Sequence, residues 1–424
     1  MQKNTDIQDV THEVTIEKLV HGGQGLGTLP DGRRVFVWNA LPGETVQVRI
    51  IKAKRSYAEA IAEQITKPSA ERIAPQEENY LSTSPWQIMS FAAENQHKKA
   101  IVEELFGHEK VVLPAMPETI HGDQEWQYRN KMEYSFWGDD EGLHLALHQR
   151  GSHGKQIVSG SKLALPAIDA AANAIAKQLS DLNTRAGDLK TIMVRTSENG
   201  KAVGALFTKL PKFSQLTLPP ELKGLRVYHS NPKSPASVPT QLLYELGDTT
   251  LSDKILDATL SYDPIGFFQA NLPVFRRVVE RINSVIDTKN DVIDFYSGVG
   301  SIGLSVKGTT ALVETDAAAV AMARQNVGDQ DIKVVEATAE TALDYITPGC
   351  TLIVDPPRAG LHHKVVSQIL ATRPSQLIYL SCNPATQARD LALLQASYSI
   401  ELFEVYNFFP KTPHIETLAV LKLK

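Results

Sequence analysis

The chain predicts an α/β protein in which a C-terminal Rossmann-like sheet follows an N-terminal OB-type β-barrel and a central α+β domain. Strand-like and helix-like segments alternate regularly from Asp291 onward, and short strands with Gly-rich turns fill residues 11–67. A chain of 424 residues is also too long for a single core. We therefore expect three domains, at 11–67, 68–263 and 264–424.

Composition narrows the class of protein. Hydrophobic residues make up 42% and charged residues 21%, which is ordinary for a globular chain. No apolar run approaches the roughly 18 residues of a membrane helix, and the polar first ten residues lack a signal-peptide core. The only cysteines, Cys350 and Cys382, are too few for a disulfide framework. We expect a cytoplasmic monomer without membrane contact. The net charge of −5 neither favours nor excludes nucleic acid.

The N-terminal barrel is predicted from strand-like runs separated by turn residues. These runs cover 14–20, 34–37, 44–51 and 58–62, and Pro30-Asp-Gly32 and Leu41-Pro-Gly43 separate three of them. Basic residues gather near the end of the barrel, with Lys54 and Arg55 beside Tyr57, after Arg49 and Lys52. Such a cluster suits binding of a phosphate backbone and stacking of a base. A solvated edge of the barrel is an equally good interpretation.

The central region is predicted to be α+β. Residues 94–106 and 167–182 have helical spacing, whereas 128–134 and 143–148 alternate like strands.

The C-terminal region predicts right-handed βαβ units and a parallel sheet. Strand-like runs occur at 291–296, 310–315, 332–336, 351–355, 376–381, 398–406 and 417–423. Because no helix separates the last two runs, we expect an antiparallel strand at the edge of the sheet.

A glycine loop follows the first strand of this sheet and predicts a cofactor pocket that includes Tyr296, Gly298 and Gly300. The glycines permit a tight turn and close approach of the backbone, and a helix start after them favours a bound anion. Glu314 and Asp316, at the end of the second strand, are placed to accept hydrogen bonds from ribose hydroxyls. NAD and S-adenosylmethionine (SAM) both fit this pattern. An acidic residue on the first strand, Asp294, suits a ligand with a cationic amino-acid end and favours SAM.

Three further side chains are predicted at the same edge of the sheet. Asp355 ends the fourth strand and begins Asp355-Pro-Pro-Arg358, Cys382 follows the fifth strand, and Glu416 precedes the last. A thiolate that adds to C6 of uracil makes C5 able to attack a methyl sulfonium, and a base then removes the C5 proton. We assign Cys382 as nucleophile, Glu416 as base and Asp355 as anchor for the N3–H edge. A small buried hydrophobe at Cys382 and a plain surface residue at Glu416 are the alternatives.

These motifs, in this order, resemble the class I SAM-dependent RNA uracil-5-methyltransferases, which include the bacterial 23S rRNA and tRNA T-loop enzymes. The resemblance covers nearly the whole chain, and the barrel resembles an RNA-binding TRAM domain. It implies that Gln269, in Phe267-Phe-Gln-Ala-Asn271, contacts SAM, and that Asp355 belongs to the cofactor site as well. It also implies that Arg129 and Lys131, in Tyr128-Arg-Asn-Lys131, contact RNA.

The sequence departs from this family in three places. Many relatives with a TRAM domain bind an iron–sulfur cluster through cysteines just after a segment like Arg72-Ile-Ala-Pro75, but no cysteine follows it here. Because a cluster needs thiolate ligands, we predict that none is bound. Ser297 stands where the family usually has cysteine, and Asn407 replaces a common aspartate.

The resemblance implies methylation of uridine C5 in RNA, with 23S rRNA as the expected substrate and the tRNA T-loop as the alternative. Adenine or amino-group N-methyltransferases usually have an aromatic residue where Arg358 stands. Cytosine-5 enzymes commonly use a second cysteine in the fourth-strand motif, where Pro357 and Arg358 leave none. A non-catalytic RNA-binding protein would be expected to have degraded motifs.

Overall fold

The computed structural model describes residues 11–152 and 154–424, and the polar first ten residues lie outside the described part. The chain divides into two compact units. The first contains the chain up to Glu103 together with Leu147–Gln156 and Phe409–His414. The second contains Glu104–Ala146, Ile157–Phe408 and Ile415–Lys424. No helix in the described residues is long and apolar enough to cross a membrane.

The first unit contains a closed five-stranded barrel, which confirms the predicted OB-type fold. Its strands are β1 (His12–Leu19), β2 (Gly25–Thr28), β3 (Arg34–Trp38), β4 (Thr45–Ala53) and β5 (Tyr57–Lys67), joined in the order β1-β2-β3-β5-β4. Alternate side chains point inward, as Val35 and Val37 on β3 and Val46 and Val48 on β4 do. This alternation fills the barrel with aliphatic side chains and leaves polar residues outside.

A buried ion pair lies next to the barrel in the same unit. After α1 (Tyr80–Thr83), helix α2 (Phe91–His108) places Glu94 and Lys98 four residues apart, and Lys98 Nζ lies 2.9 Å from Glu94 Oε1. Both side chains are completely buried. The segment Phe409–His414 completes their hydrogen bonding: Lys411 N donates to Glu94 Oε2 at 2.9 Å, and Lys98 Nζ donates to the Phe409 carbonyl at 3.2 Å.

The second unit contains most of a seven-stranded sheet of order β13-β12-β11-β10-β7-β8-β9. After the short strand β6 (Ile120–His121), its elements are β7 (Lys131–Asp139), β8 (Gly142–His148), β9 (Lys155–Ile157), α3 (Pro166–Asp181), β10 (Leu189–Thr196), β11 (Ala202–Thr208), β12 (Leu222–His229) and β13 (Gln241–Gly247). Helix α3 buries Ile168, Ile175 and Leu179. A hairpin of β14 (Leu251–Ile255) and β15 (Ala258–Tyr262) follows.

The rest of the second unit is a Rossmann-like sheet of order β18-β17-β16-β19-β20-β22-β21-β6. Its elements are α4 (Leu272–Val285), β16 (Val292–Phe295), β17 (Thr309–Glu314), α5 (Ala317–Val327), β18 (Lys333–Glu336), β19 (Thr351–Val354), α6 (His363–Thr372), β20 (Gln376–Ser381), α7 (Pro384–Leu394), β21 (Tyr398–Asn407) and β22 (Glu416–Leu423). Strands β16 to β20 are parallel, and β22 is antiparallel to both of its neighbours.

Two details of the sequence prediction are wrong. The antiparallel last strand is not at the edge, because β22 inserts between β20 and β21, and β6 then covers β21. The glycine loop does not open an α-helix, because only a 3-10 turn forms over Gly303–Ser305. The expected helix dipole for a bound anion is therefore absent at this loop.

Candidate active site

The strand register brings Cys382 and Glu416 together. The antiparallel ladder of β20 and β22 ends with Ser381 paired to Thr417, and the same register continued by one residue sets Cys382, just after β20, opposite Glu416. Side chains directly opposite each other in such a ladder point to the same face of the sheet. Thr417 Oγ1 donates to the Ser381 carbonyl at 3.4 Å and to Gln387 Oε1 at 2.7 Å, which fixes this end of the ladder.

The loop after β19 borders the same thiol. Asn383 Nδ2 donates to the Arg358 carbonyl at 2.8 Å, and Thr386 Oγ1 donates to it at 3.2 Å, so helix α7 holds the loop that begins at Asp355. Burial raises the pKa of Asp355 to about 7. The half-buried thiol of Cys382 thus faces two carboxyl groups, from Glu416 and Asp355.

This environment keeps the thiol protonated in the resting protein. Burial, followed by the negative charges of Glu416 and Asp355, raises the pKa of Cys382 to about 12, and Arg358 only partly opposes them. At pH 8 a thiol with that pKa is ionised to about one part in 10⁴, against about a quarter for an unperturbed thiol. The greater intrinsic nucleophilicity of a basic thiolate offsets part of the difference.

We therefore expect iodoacetamide to alkylate Cys382 about 10²-fold more slowly than it alkylates the cysteine of an unstructured peptide at pH 8. Mass spectrometry of the labelled peptide measures the rate in the protein without ligands. If Cys382 were alkylated as fast as the cysteine of the unstructured peptide, this arrangement of charges around the thiol would be contradicted.

The glycine loop has the geometry of a pocket for a ligand. Tyr296 adopts φ +63, which is uncommon for a residue with a side chain, and Gly298 and Gly300 have φ +56 and +89. A Cβ placed on Gly298 would meet no atom within 4 Å, so the loop borders open space there. Glu314 shapes the loop from β17, because its Oε2 accepts from Gly298 N at 2.9 Å.

Asp294 and Asp316 both support the backbone around this loop. Asp294 Oδ2 accepts from Gly303 N at 2.8 Å, and a Cβ on Gly303 would lie 2.9 Å from that oxygen. Its Oδ1 is buried without a hydrogen-bond partner among the described residues, and burial raises the pKa of Asp294 to about 8. Asp316 caps helix α5, since its Oδ1 accepts from Ala319 N at 2.8 Å. Asp294 therefore lies beneath the loop, and its carboxyl is largely protonated at neutral pH.

Gln269 lies in the loop between β15 and α4. Side chains at the start of β7 donate hydrogen bonds to this loop. Asn130 Nδ2 donates to the Gln269 carbonyl at 2.8 Å, and Lys131 Nζ donates to the Ile265 carbonyl at 2.9 Å. In the described part of the chain, the side-chain amide of Gln269 itself has no hydrogen-bond partner. Lys131 Nζ thus binds this loop, and burial lowers the pKa of Lys131 to about 7. Arg129, two residues before β7, is half-buried.

Sequence reasoning missed Asn130 and Arg195 as residues of this loop's environment. Arg195 Nη1 donates to the carbonyls of Asp263 and Gly266, at 3.2 and 2.8 Å. A signal for Asn130 was present, because it lies inside the motif that contains Arg129 and Lys131. Arg195 follows the apolar run Ile192-Met-Val194 in β10, and this pattern indicates a buried cation but does not indicate which groups it binds.

The basic cluster of the barrel is only partly available to a ligand. Arg49 pairs with Glu63 and Lys52 with Glu59 across the hairpin of β4 and β5. Lys54 and Arg55 lie exposed at the tip of this hairpin, and neither side chain has an ion pair within the described residues. The tip therefore carries two cations that an anionic ligand can reach.

No group of His, Cys, Asp and Glu side chains in the described part of the chain is arranged to hold a metal ion. The prediction that no iron–sulfur cluster is bound continues to rest on the missing cysteines after Pro75.

Comparison with known proteins gives two matching families. Residues 343–424 match the family described as tRNA (Uracil-5-)-methyltransferase, and residues 10–62 match the TRAM domain. These matches cover the region of Asp355, Cys382 and Glu416 at one end and the barrel at the other.

Whole-chain relatives support the same assignment. A protein of Lactobacillus johnsonii described as an uncharacterized RNA methyltransferase is 30% identical over 100% of this chain and 99% of its own. One of Enterococcus faecalis with the same description is 28% identical over 96% of each chain. The solved tRNA (uracil-54, C5)-methyltransferase of Pyrococcus abyssi, in complex with S-adenosyl-L-homocysteine, has a TM-score of 0.76 and 21% identity, and covers 96% of this chain and 100% of its own. The similarity to the Pyrococcus abyssi enzyme shows that the two proteins share a fold.

Proposed function

The chain belongs to the SAM-dependent RNA methyltransferases of the uracil-5 family, and from this premise we propose that it methylates C5 of a uridine through a covalent bond between Cys382 Sγ and C6 of the base. The observation that carries this proposal is the closeness of Cys382 and Glu416, which follows from the ladder that ends at Ser381 and Thr417, so that the charge of Glu416 acts on the thiol. A nucleophile and a base on one face of a sheet, with Asp355 on a neighbouring strand, suit addition and elimination at adjacent ring carbons.

The residues around the glycine loop fit SAM. Open space at Gly298 allows the backbone to approach a ligand closely, and the unpartnered amide of Gln269 offers both a donor and an acceptor. We propose that Gln269, Tyr296, Gly298, Gly300 and Glu314 hold the cofactor, with Asp294 supporting the loop from below and Asp355 beside it. When bound, SAM supplies an electrophilic methyl group on a sulfonium, whose positive charge favours the thiolate form of a nearby cysteine.

The protein side chains then act in sequence on the uracil ring. Cys382 Sγ forms a bond to C6 and loses its proton to solvent, and the electron pair displaced from the C5–C6 double bond makes C5 nucleophilic. Once C5 carries the methyl group, Glu416 takes the C5 proton, the double bond re-forms, and the Sγ–C6 bond breaks. Asp355 accepts a hydrogen bond from the N3–H edge and holds the ring in place.

The target uridine must leave its base stack to meet this site, because C5 and C6 are not both accessible inside a helix. The exposed Phe267, two residues before Gln269, offers an aromatic face for a neighbouring base. We propose Lys54 and Arg55 of the barrel as contacts to the phosphate backbone, with Arg129 as an RNA contact of the central region. Lys131 donates to the Ile265 carbonyl, so we assign it first to holding the loop and only second to contacting RNA.

Ribosomal RNA remains the predicted substrate, on the grounds of the TRAM-like barrel. Transfer RNA is the second candidate, because the matching C-terminal family and the Pyrococcus abyssi enzyme are both described by that substrate. Release of tritium from RNA with 5-tritiated uridine separates the two. We expect SAM-dependent release from unmodified 23S rRNA fragments, whereas release only from T-loop tRNA would name tRNA instead. Absence of release from both RNAs, in protein that binds cofactor, would refute the uracil-5 chemistry.

Replacing Glu416 by glutamine is expected to trap the covalent intermediate. The thiol can still add to C6, but loss of the base slows removal of the C5 proton by about 10²–10⁴-fold. A protein–RNA complex that survives denaturing electrophoresis should therefore accumulate with SAM, and it should be absent in Cys382→Ala/Glu416→Gln.

Glu336→Gln is the matched control for this prediction, since Glu336 ends strand β18 of the same sheet and is exposed. It should turn over normally without accumulating a complex. Normal turnover in Glu416→Gln would rule out Glu416 as the base.

A further inference from the structure

The loop that carries Gln269 is held at its backbone by three side chains of the seven-stranded sheet. Asn130, Lys131 and Arg195 together donate to the carbonyls of Gln269, Ile265, Asp263 and Gly266. None of these hydrogen bonds involves a side chain of the loop. These three side chains therefore fix the path of the loop without using the amide of Gln269.

Arg195 holds the loop at the cost of burying a charged side chain. It is 2% exposed, and in the described part of the chain it forms no ion pair. Its guanidinium lies 5.5 Å from the centre of the Tyr262 ring, and burial lowers its pKa to about 10. A buried cation without an ion pair is costly unless hydrogen bonds compensate it. Two loop carbonyls accept from Arg195 Nη1, whereas its Nε has no partner among the described residues.

Asn130 fixes the two peptide groups that follow Gln269. Its side chain donates to the Gln269 carbonyl, its own N–H donates to the Ala270 carbonyl at 3.2 Å, and its own carbonyl accepts from Thr196 N at 2.9 Å. On the other side of Gln269, the Phe268 ring stacks on Tyr262 with centroids 3.9 Å apart. The backbone of Gln269 is thus restrained on both sides.

We propose that Asn130 and Arg195 are positioning residues for the side chain of Gln269, through which they set the affinity for the cofactor. The inference rests on the proposed contact between Gln269 and SAM. Neither residue needs to touch the cofactor, because a loop whose backbone is restrained at Asp263, Gly266 and Gln269 fixes the point from which the Gln269 side chain extends. Preorganisation of this kind raises affinity by removing the cost of ordering the loop on binding.

A double-mutant cycle tests the proposal. Isothermal titration calorimetry with S-adenosylhomocysteine is made on the full chain, on Asn130→Ala, on Gln269→Ala and on the double variant. We expect each single variant to bind about 5–10-fold more weakly, as for the loss of one hydrogen bond. The double variant should bind no more weakly than the weaker single variant, since residues that act through one another are not additive. The KM for RNA should stay unchanged in Asn130→Ala.

Asn173→Ala is the matched control. Asn173 also donates through Nδ2 to backbone carbonyls, those of Ser159 and Asp169, but lies on helix α3 away from the loop. Its loss should leave cofactor affinity unchanged. If Asn130→Ala folds poorly, two variants at Arg195 repeat the test. Arg195→Lys keeps a cationic donor and should bind S-adenosylhomocysteine more tightly than Arg195→Met does.

The outcomes separate this inference from the proposed function. Weak binding in Gln269→Ala but wild-type affinity in Asn130→Ala, or equal affinities in the two Arg195 variants, would overturn the positioning role alone. Multiplied losses in the double variant would overturn it as well. Unchanged affinity in Gln269→Ala would refute the cofactor contact and with it the inference.

Discussion

Replacing Cys382 by alanine is expected to slow methyl transfer to RNA by at least about 10⁴-fold, because loss of a nucleophile removes the covalent route altogether. The affinity for S-adenosylhomocysteine should stay within about twofold, since the glycine loop and Gln269 are untouched. Single-turnover tritium release, with calorimetry on the same protein, measures both quantities.

Cys350→Ala is the control for this prediction. Cys350 is buried at 1% exposure, and burial raises the pKa of its thiol, so it behaves as a small core side chain rather than a nucleophile. Its replacement should lower stability slightly and leave methyl transfer intact. If Cys382→Ala kept a tenth of wild-type transfer, the covalent mechanism would be untenable.

Replacing Glu94 by alanine is expected to lower the free energy of unfolding of the first unit by about 3–5 kcal/mol, since it leaves the Lys98 ammonium buried without its charge partner. The Lys411 N–H loses its acceptor at the same time. Urea unfolding followed by tryptophan fluorescence measures the change, because Trp86 lies in the same unit with Lys98 Nζ 5.8 Å from its ring centre.

An exposed pair with the same helical spacing provides the comparison. Lys177 and Asp181 lie four residues apart on α3, with side chains 77% and 65% exposed. Because solvent screens such pairs, Lys177→Ala should cost less than about 1 kcal/mol. A second comparison, Glu94→Leu/Lys98→Met, removes both charges and should recover much of the loss. Equal costs for Glu94→Ala and Lys177→Ala would contradict the importance of burial.

Local sequence pattern was sufficient to predict most strands and the positions of Cys382, Glu416 and Asp355. Each of these residues adjoins an apolar β-prone run, and the end of such a run is a local property. The insertion of β22 between β20 and β21 was not predictable in this way, because the order of strands depends on which edge is available after the helices have packed.

The contacts around Gln269 were beyond sequence pattern for a similar reason. Asn130 and Gln269 are 139 residues apart, and nothing near either one indicates the other. The glycine motif also did not indicate that only a short 3-10 turn follows the loop. Gly303 N donates to the Asp294 carboxyl, the helical turn that begins there ends at Ser305, and Val306 is already extended. The motif therefore predicted the turn but not the short 3-10 segment after it.

The six residues Phe409–His414 have a consequence for how the protein is made. The backbone groups that complete the hydrogen bonds of Glu94 and Lys98 come from residues more than 300 positions later in the chain, at separations of 317 and 311. On the ribosome, domains generally fold as they emerge, starting from the N-terminus. Here the barrel can close early, but the ion pair of helix α2 lacks these backbone partners until residues 409–414 have been translated. Its hydrogen bonding is thus completed only after more than 300 further residues have been made, and a chain truncated before Phe409 lacks both partners.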